Sequence, residues 1–174
     1  MADFLNVNKV LDNLDLKETM TAAEFGCGSA DFSIALAKKL RKGRVYALDI
    51  QEEKLSALKS KLALEGLNNV VMVVCDLEAP SGSTLQGNSQ DVVLIPNVLF
   101  QAENKYAILK EAHRVLKVGG TLLVIDWFKK VPFSPKTGMV TPDEVKKLAA
   151  TLAFSLTKEF MAGDYHFALL FAKT

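Results

Sequence analysis

Short apolar runs alternate with helical patterns along most of this chain, and that alternation restricts the fold more than any other feature. Residues 20–25, "RVYALDI" from Arg44, "NVVMVVCD" from Asn69, "DVVLIP" from Asp91 and "TLLVIDWF" from Thr121 read as five strands. The near-continuous valine run at 70–74 predicts a strand buried on both faces. Phe32, Ala35, Leu36 and Leu40 mark one intervening helix, and Leu55, Leu58 and Leu62 a second, with Gly66 placed to close it. Ile108, Ala112, Val115 and Leu116 mark another helix, expected to end at Gly119-Gly120. Val7, Val10, Leu11 and Leu14 predict an amphipathic helix over 4–14.

After the fifth strand the pattern changes. Residues 129–140 form a loop, and Thr141 caps a helix that opens Pro142-Asp143-Glu144. Residues 154–161 and 165–172 read as strands across a turn short enough to force antiparallel pairing. The expected fold is one α/β domain over 1–174, a Rossmann-like, doubly wound and mostly parallel sheet with helices on both faces and an antiparallel C-terminal hairpin. In such sheets the ligand sits at the carboxyl ends of the strands, where strand order reverses.

The stretch "EFGCGSADF", Glu24 to Phe32, stands at that end of the first strand. Gly26 and Gly28 let a ligand approach bare backbone, and the following helix offers free N–H groups. The dinucleotide fingerprint needs a third glycine at 31, where this chain has Asp31, the wrong sign for a pyrophosphate. A GxGxG spacing meets Ala30, one methyl larger. S-adenosylmethionine (SAM) carries a sulfonium and an ammonium, and Glu24 suits both. Asp49 ends the second strand and can accept from ribose hydroxyls, a feature SAM and NAD share. Asp76 ends the third and can accept from an adenine amino group, between Cys75 and Leu77.

These residues, with "VYALDIQEEKL", "VVCDLE", "DVVLIPNVLFQAENK" and "EAHRVLKVGGTLLVIDW", resemble the class I SAM-dependent methyltransferases, closest to small enzymes of the quinone-biosynthesis type. The resemblance implies a seven-stranded sheet whose last strand runs antiparallel. It implies that Glu24, Gly26, Cys27 and Gly28 line the methionine end of SAM, that Asp49 holds the ribose with Ile50 against adenine, that Asp76 and Leu77 contact adenine, and that Pro96 and Asn97 sit beside the sulfonium. Ala30 departs from the family's usual glycine. The chain carries almost no substrate-covering insertion, so its acceptor site is either open or completed by a partner.

Candidate acceptor-side residues are Asn97, Phe100, Asp126, Trp127 and Phe128. His166 is a candidate base, and Lys129, Lys130 and Lys136 make the neighbouring loop basic. His113, among charged neighbours on a helix, reads as a surface residue. Charge and composition narrow the classes. A net charge of +1 argues against a broad nucleic-acid-binding face. Cys27 and Cys75 form no CxxC pair, so neither a structural zinc nor a disulfide framework is expected, and reduced cytoplasmic thiols follow. The start shows no signal-peptide pattern, and no apolar run reaches membrane-spanning length. The absence of an NPPY-type motif after the fourth strand disfavours exocyclic amino acceptors. The expectation is methyl transfer to a small molecule by a cytoplasmic monomer or homodimer. A SAM-binding module without catalysis is the alternative, followed by an NAD-dependent oxidoreductase.

Overall fold

The computed structural model describes residues 4–128 and 130–174 of the chain. Seven strands, β1 Thr21–Phe25, β2 Arg44–Asp49, β3 Val70–Val74, β4 Gln90–Pro96, β5 Leu116–Trp127, β6 Phe154–Ala162 and β7 His166–Lys173, form one sheet in the order β3-β2-β1-β4-β5-β7-β6. β1, β2, β3, β4 and β5 pair in parallel, and β7 runs antiparallel to both β5 and β6. The helices are α1 Val7–Leu11, α2 Asp31–Lys39, α3 Glu52–Leu64, α4 Lys105–Val115 and α5 Pro142–Thr151. The expected architecture is the observed one.

Alternation along the central strands divides the core in two. Ala22, Val92, Leu94, Leu123 and Ile125 bury one face against α1 and α2, through Val10, Leu11, Phe32 and Leu36. Ala23, Phe25, Val93, Ile95, Leu122 and Val124 bury the other against Ile108, Leu109 and Ala112 of α4 and Val145 and Ala149 of α5. Each fully buried Leu, Ile, Val or Phe stabilises by roughly 1.5–3 kcal/mol, so these two layers hold the sheet. Local signals agree with this packing. Thr141 and Glu144 form a reciprocal capping box at α5, with Pro142 at its first position. Leu55, Leu58 and Leu62 are the buried stripe of α3, and Gly66 closes that helix at φ +66°.

Four expectations need correction. β3 is an edge strand, and its Val74 is 56% exposed. Valine's branched Cβ favours an extended backbone whether or not both faces are covered, so the run reports a strand but not its position. α1 covers five residues rather than 4–14. Asn6 caps its start by accepting from Lys9 N at 3.1 Å, and the Asn13 amide donates to Lys9 O at 2.9 Å and ends it. α4 stops at Val115, because Leu116 is already extended (φ −66°, ψ 140°). Gly119 and Gly120 lie within β5, where the ladder to β4 jumps from Leu116 to Thr121. His113 is half-buried, its ring edge-on to Phe154 at 5.2 Å.

Candidate functional site

Strand order reverses between β1 and β4, and a cleft of about 500 Å³ opens beside their carboxyl ends. Gly26, Gly28, Asp49, Asp76 and Leu77 line it, and Ile50, 65% exposed, stands at its rim. A smaller compartment of about 170 Å³ shares Gly26, Gly28 and Asp49 and adds Glu24, Cys27, Pro96 and Asn97. A larger hollow of about 640 Å³ lies away from the strand ends, among exposed side chains of α1, α2 and α3. Its rim includes the Lys38–Glu65 ion pair at 2.8 Å. Its acids are Asp31 and the ion-paired Glu65, it has no glycine turn, and it lies away from the switch point, so the strand-end cleft is the candidate site.

The two glycines serve different ends. Gly26 has φ +81°, and a Cβ there would stand 2.4 Å from Val98 Cγ2. Its N–H and that of Cys27 both donate to Leu48 O, at 2.8 and 3.0 Å, which ties the turn to β2. Gly28 has φ +44° with open space where a side chain would be, and its N–H donates to Asp49 Oδ2 at 3.2 Å. Ala30 takes φ +74°, a left-handed backbone where an alanine costs on the order of 1 kcal/mol. Its methyl is buried in the cluster of Leu55 and Leu58 of α3, not in the cleft. Ala30→Gly relieves the backbone and loses about one buried methyl, worth about 0.8 kcal/mol. It should therefore change stability by less than about 1 kcal/mol in urea unfolding and leave cofactor affinity within about twofold of wild type by calorimetry.

The three acids stand at the carboxyl ends of successive strands, Glu24 one residue before the end of β1, Asp49 at the end of β2 and Asp76 two residues past β3. Glu24 is buried and accepts a hydrogen bond from the Ser33 hydroxyl. Burial pushes its carboxyl up to about 8. Asp49 is oriented by two backbone donors, Gln51 N to Oδ1 at 3.0 Å and Gly28 N to Oδ2 at 3.2 Å. Each of its oxygens keeps a second lone pair for a ligand hydroxyl. Asp76 Oδ1 accepts from Glu78 N at 2.9 Å, a local turn that aims the chain back across the cleft. The loop beyond is anchored to α4: Ser83 donates to Glu111, and Arg114 donates to Leu85 O at 2.8 Å. Burial raises the Cys27 thiol to about 12 and the Cys75 thiol to about 11, so neither is a thiolate nucleophile at neutral pH.

On the acceptor side, Pro96 ends β4 and Asn97 turns left-handed at φ +55°. The Asn97 N–H donates to Ile125 O at 2.8 Å, while its buried Oδ1 has no partner among the described residues. A strained residue with an orphaned buried oxygen is the kind of position that a ligand completes. Asp126 faces inward. Its Oδ2 accepts from Phe100 N at 3.1 Å and its Oδ1 from Trp127 N at 2.8 Å, and burial lifts it to about 6. It fixes the 3-10 turn Leu99–Gln101 that carries Phe100. Trp127 and His166 are register partners, with ring centroids 4.4 Å apart. His166 is fully buried, neither ring nitrogen has a partner among the described residues, and burial lowers it to about 4. Phe128 is 48% exposed, and its N–H donates to Tyr165 O at 2.7 Å. Lys130 and Lys136 are exposed, and Lys129 lies outside the described residues.

Sequence reading missed Val98, Gln101 and Leu5. Val98 fills the space above Gly26, Gln101 borders both compartments, and Leu5 borders the smaller one. Val98 follows Asn97 directly and Gln101 stands four residues on, which was their available signal. Leu5 had none, because only the tertiary fold brings it there.

A doubly wound sheet with a glycine turn and three strand-end acids around one cleft defines a nucleoside-cofactor fold without a dinucleotide fingerprint. The profile of the methyltransferase domain matches residues 16–159, and the chain belongs to the SAM-dependent methyltransferase family, whose methyl donor is S-adenosylmethionine. The fold superposes on a SAM-dependent methyltransferase from Aquifex aeolicus with a TM-score of 0.87 and 25% identity, covering 98% of this chain and 90% of that one. Over 122 residues the chain is 32% identical to the demethylmenaquinone methyltransferase of Geobacillus stearothermophilus, which covers 67% of this chain and 49% of that protein. It is 29% identical over 158 residues to ribosomal RNA-processing protein 8 of Arabidopsis thaliana, covering 90% of this chain and 46% of that protein. The chain thus spans about half the length of the curated relatives it matches. Among the described residues no helix is long and apolar enough to cross a membrane.

Proposed function

We propose that this chain, as a single domain over residues 1–174, moves a methyl group from S-adenosylmethionine to a small organic acceptor. The observation that carries the reading is the convergence at the switch point of the Gly26–Gly28 turn with Asp49 and Asp76 on the cleft and with Glu24 and Asp49 on the adjoining compartment. The cradle fits the cofactor: beside Gly28 the space that a side chain would take is open, and among the described residues the buried Asn97 Oδ1 has no partner. When bound, SAM supplies an electrophilic methyl group on a sulfonium.

The residues then divide the work. Glu24, Gly26, Cys27 and Gly28 hold the methionine end, with Glu24 opposite its ammonium. Asp49 holds the ribose hydroxyls, while Ile50, Asp76 and Leu77 enclose adenine. Pro96 and Asn97 stand beside the sulfonium and set the line of attack. Phe100, Trp127 and Phe128 receive the acceptor and exclude water. His166, neutral and without hydrogen-bond partners among the described residues, accepts a hydrogen bond from an acceptor hydroxyl. Burial makes it a weak base, so it orients the acceptor better than it takes the proton.

The curated relative of quinone metabolism supports a small-molecule acceptor. Another relative is named for ribosomal RNA processing, but a net charge of +1 gives this chain no broad basic surface for RNA. Free Cys27 and Cys75 support a reducing, cytoplasmic setting. The weak basicity of His166 favours one second reading, a SAM-binding module that serves a partner without turnover.

Calorimetry with S-adenosylhomocysteine, SAM and NAD tests the cofactor. The expected result is sub-millimolar binding of the first two, and at a hundredfold excess over Kd a stabilisation of about 2.7 kcal/mol in urea unfolding. Binding of NAD with neither sulfur compound overturns the proposal in favour of an oxidoreductase. Radiolabelled SAM offered with a metabolite extract separates transfer from the module reading. Label passing to a small molecule supports transfer, and no label moving supports the module.

A further inference from the structure

Phe4 lies in a cage of aromatic rings that the cofactor reading leaves unused. Its ring centroid is 6.2 Å from Trp127, 6.1 Å from Phe133, 5.9 Å from Tyr165 and 5.5 Å from His166. The cage rings also meet one another: Trp127 and His166 at 4.4 Å, Trp127 and Phe133 at 6.2 Å, and Phe133 and Tyr165 edge-on at 5.1 Å. These are the separations of interacting aromatic pairs. Three segments far apart in sequence supply the walls, at the end of β5, in the loop before α5 and at the start of β7. The ring in the middle comes from a fourth, the start of the chain.

The position of this cage is informative. Trp127 stands two residues beyond Ile125, which pairs with Pro96, so the cage adjoins the end of the cleft assigned to the sulfonium. Leu5 borders that compartment together with Glu24, Pro96 and Asn97. Two consecutive residues thus cover both places, Leu5 at the donor compartment and Phe4 in the ring cage. Their hold is slight. Phe4 remains 52% exposed, and among the described residues the first backbone hydrogen bond of this segment is donated by the Val10 N–H to Asn6 O, at 3.1 Å. The cage walls are tied more firmly on the strand side: Gly138 lets its loop lie against Phe100 O, where a Cβ would stand at 2.0 Å, and the Phe128 N–H donates to Tyr165 O at 2.7 Å, while Phe133 forms the outer wall and is 57% exposed. At the back of the cage, fully buried His166 offers two nitrogens that have no partner among the described residues.

We propose that the cage of Trp127, Phe133, Tyr165 and His166 is a binding site for a planar aromatic alcohol, and that Phe4 occupies it as an internal stand-in which the ligand displaces. The ligand's ring takes the place of the Phe4 ring, and its hydroxyl finds a His166 nitrogen that phenylalanine cannot satisfy. That unsatisfied nitrogen lets the ligand win against a tethered competitor. The inference rests on the methyltransferase reading only for its direction: it makes the cage the acceptor subsite and the Phe4–Leu5 segment its cover.

The test is calorimetry of wild type and Phe4→Ala with 2-naphthol, with cyclohexanol as the apolar non-aromatic control and S-adenosylhomocysteine measured in parallel. Removing the stand-in should tighten 2-naphthol binding by about tenfold, which is about 1.4 kcal/mol, and leave S-adenosylhomocysteine within about threefold. Trp127 is the sole tryptophan, so its emission should shift to the red in Phe4→Ala, showing that the cage opens to water. In the Phe4→Ala background, Trp127→Leu should abolish the gain. Equal or weaker 2-naphthol binding by Phe4→Ala overturns the proposal and makes Phe4 a wall of the site. An equal gain for cyclohexanol overturns the aromatic class. If S-adenosylhomocysteine binds neither protein while the 2-naphthol gain appears, the cage stands and the donor reading falls.

Discussion

Asp49→Ala should weaken S-adenosylhomocysteine binding by about one to two powers of ten or more. Charge-assisted hydrogen bonds to ribose hydroxyls are worth roughly 1.5–3 kcal/mol each, and about 1.4 kcal/mol is tenfold. The structure adds a second effect. As a strand-end acid, Asp49 would be expected to pack against little, but it also accepts from Gly28 N and Gln51 N and so orders the glycine turn. The variant should therefore lose some stability as well, about 1 kcal/mol or less, because both hydrogen bonds are exposed and water can take the place of the carboxylate. Measuring urea unfolding alongside calorimetry separates the two losses. Asp31→Ala is the control: Asp31 is exposed and accepts from the Ser29 hydroxyl at 2.7 Å, so its affinity should stay within about twofold. Wild-type affinity in a folded Asp49→Ala protein would remove Asp49 from the site.

The second large effect is a pH dependence of binding. In the free protein Glu24 holds its proton up to about pH 8, because burial disfavours the carboxylate. A ligand ammonium beside it stabilises the ionised form, so binding releases one proton. Affinity for S-adenosylhomocysteine should then rise about tenfold per pH unit from 6 to 8 and flatten above, by proton linkage. Glu24→Gln should bind with no such slope. A flat profile in wild type means that Glu24 does not face the ammonium. Stability of the free protein runs the other way. A carboxyl whose pKa is raised on folding contributes stability that is full below about 4.5 and is lost as pH rises through about 8. Asp126, raised to about 6, acts in the same direction over a lower range.

The parts of this site that were legible in the sequence are those whose chemistry is written in neighbouring residues. A left-handed turn at Gly26 demands glycine, a strand end leaves Asp49 and Asp76 facing the cleft, and the Thr141 box needs only Glu144 three residues on. What the sequence hid depends on segments far apart. His166 is buried because Trp127 and Phe4 close over it, and nothing around "GDYHFALL" shows that. Phe4 looks like the first residue of a helix until the loop at Phe133 and the turn at Tyr165 surround it. Ala30 looks like an obstruction in a glycine motif, yet its methyl points to α3. The valines of β3 and β4 look alike, and only strand order sends one run to the rim and the other to the centre.

That rim placement bears on how the molecule meets copies of itself. The sheet has two open borders, and they are defended unequally. Along β6 the pairing with β7 breaks register between Leu156 and Lys158, and Lys158 and Glu159 put charge on the exposed strand, which are devices that deter a foreign strand from adding on. β3 has neither. Val70, Val71, Met72, Val73 and Val74 carry no charge, proline or bulge, and each is at least partly exposed. An uncharged, strongly β-favouring pentapeptide at a border is a template for intermolecular cross-β growth. Crowding or heating therefore brings the chain closest to aggregation at the β3 border, on the flank away from the C-terminal hairpin.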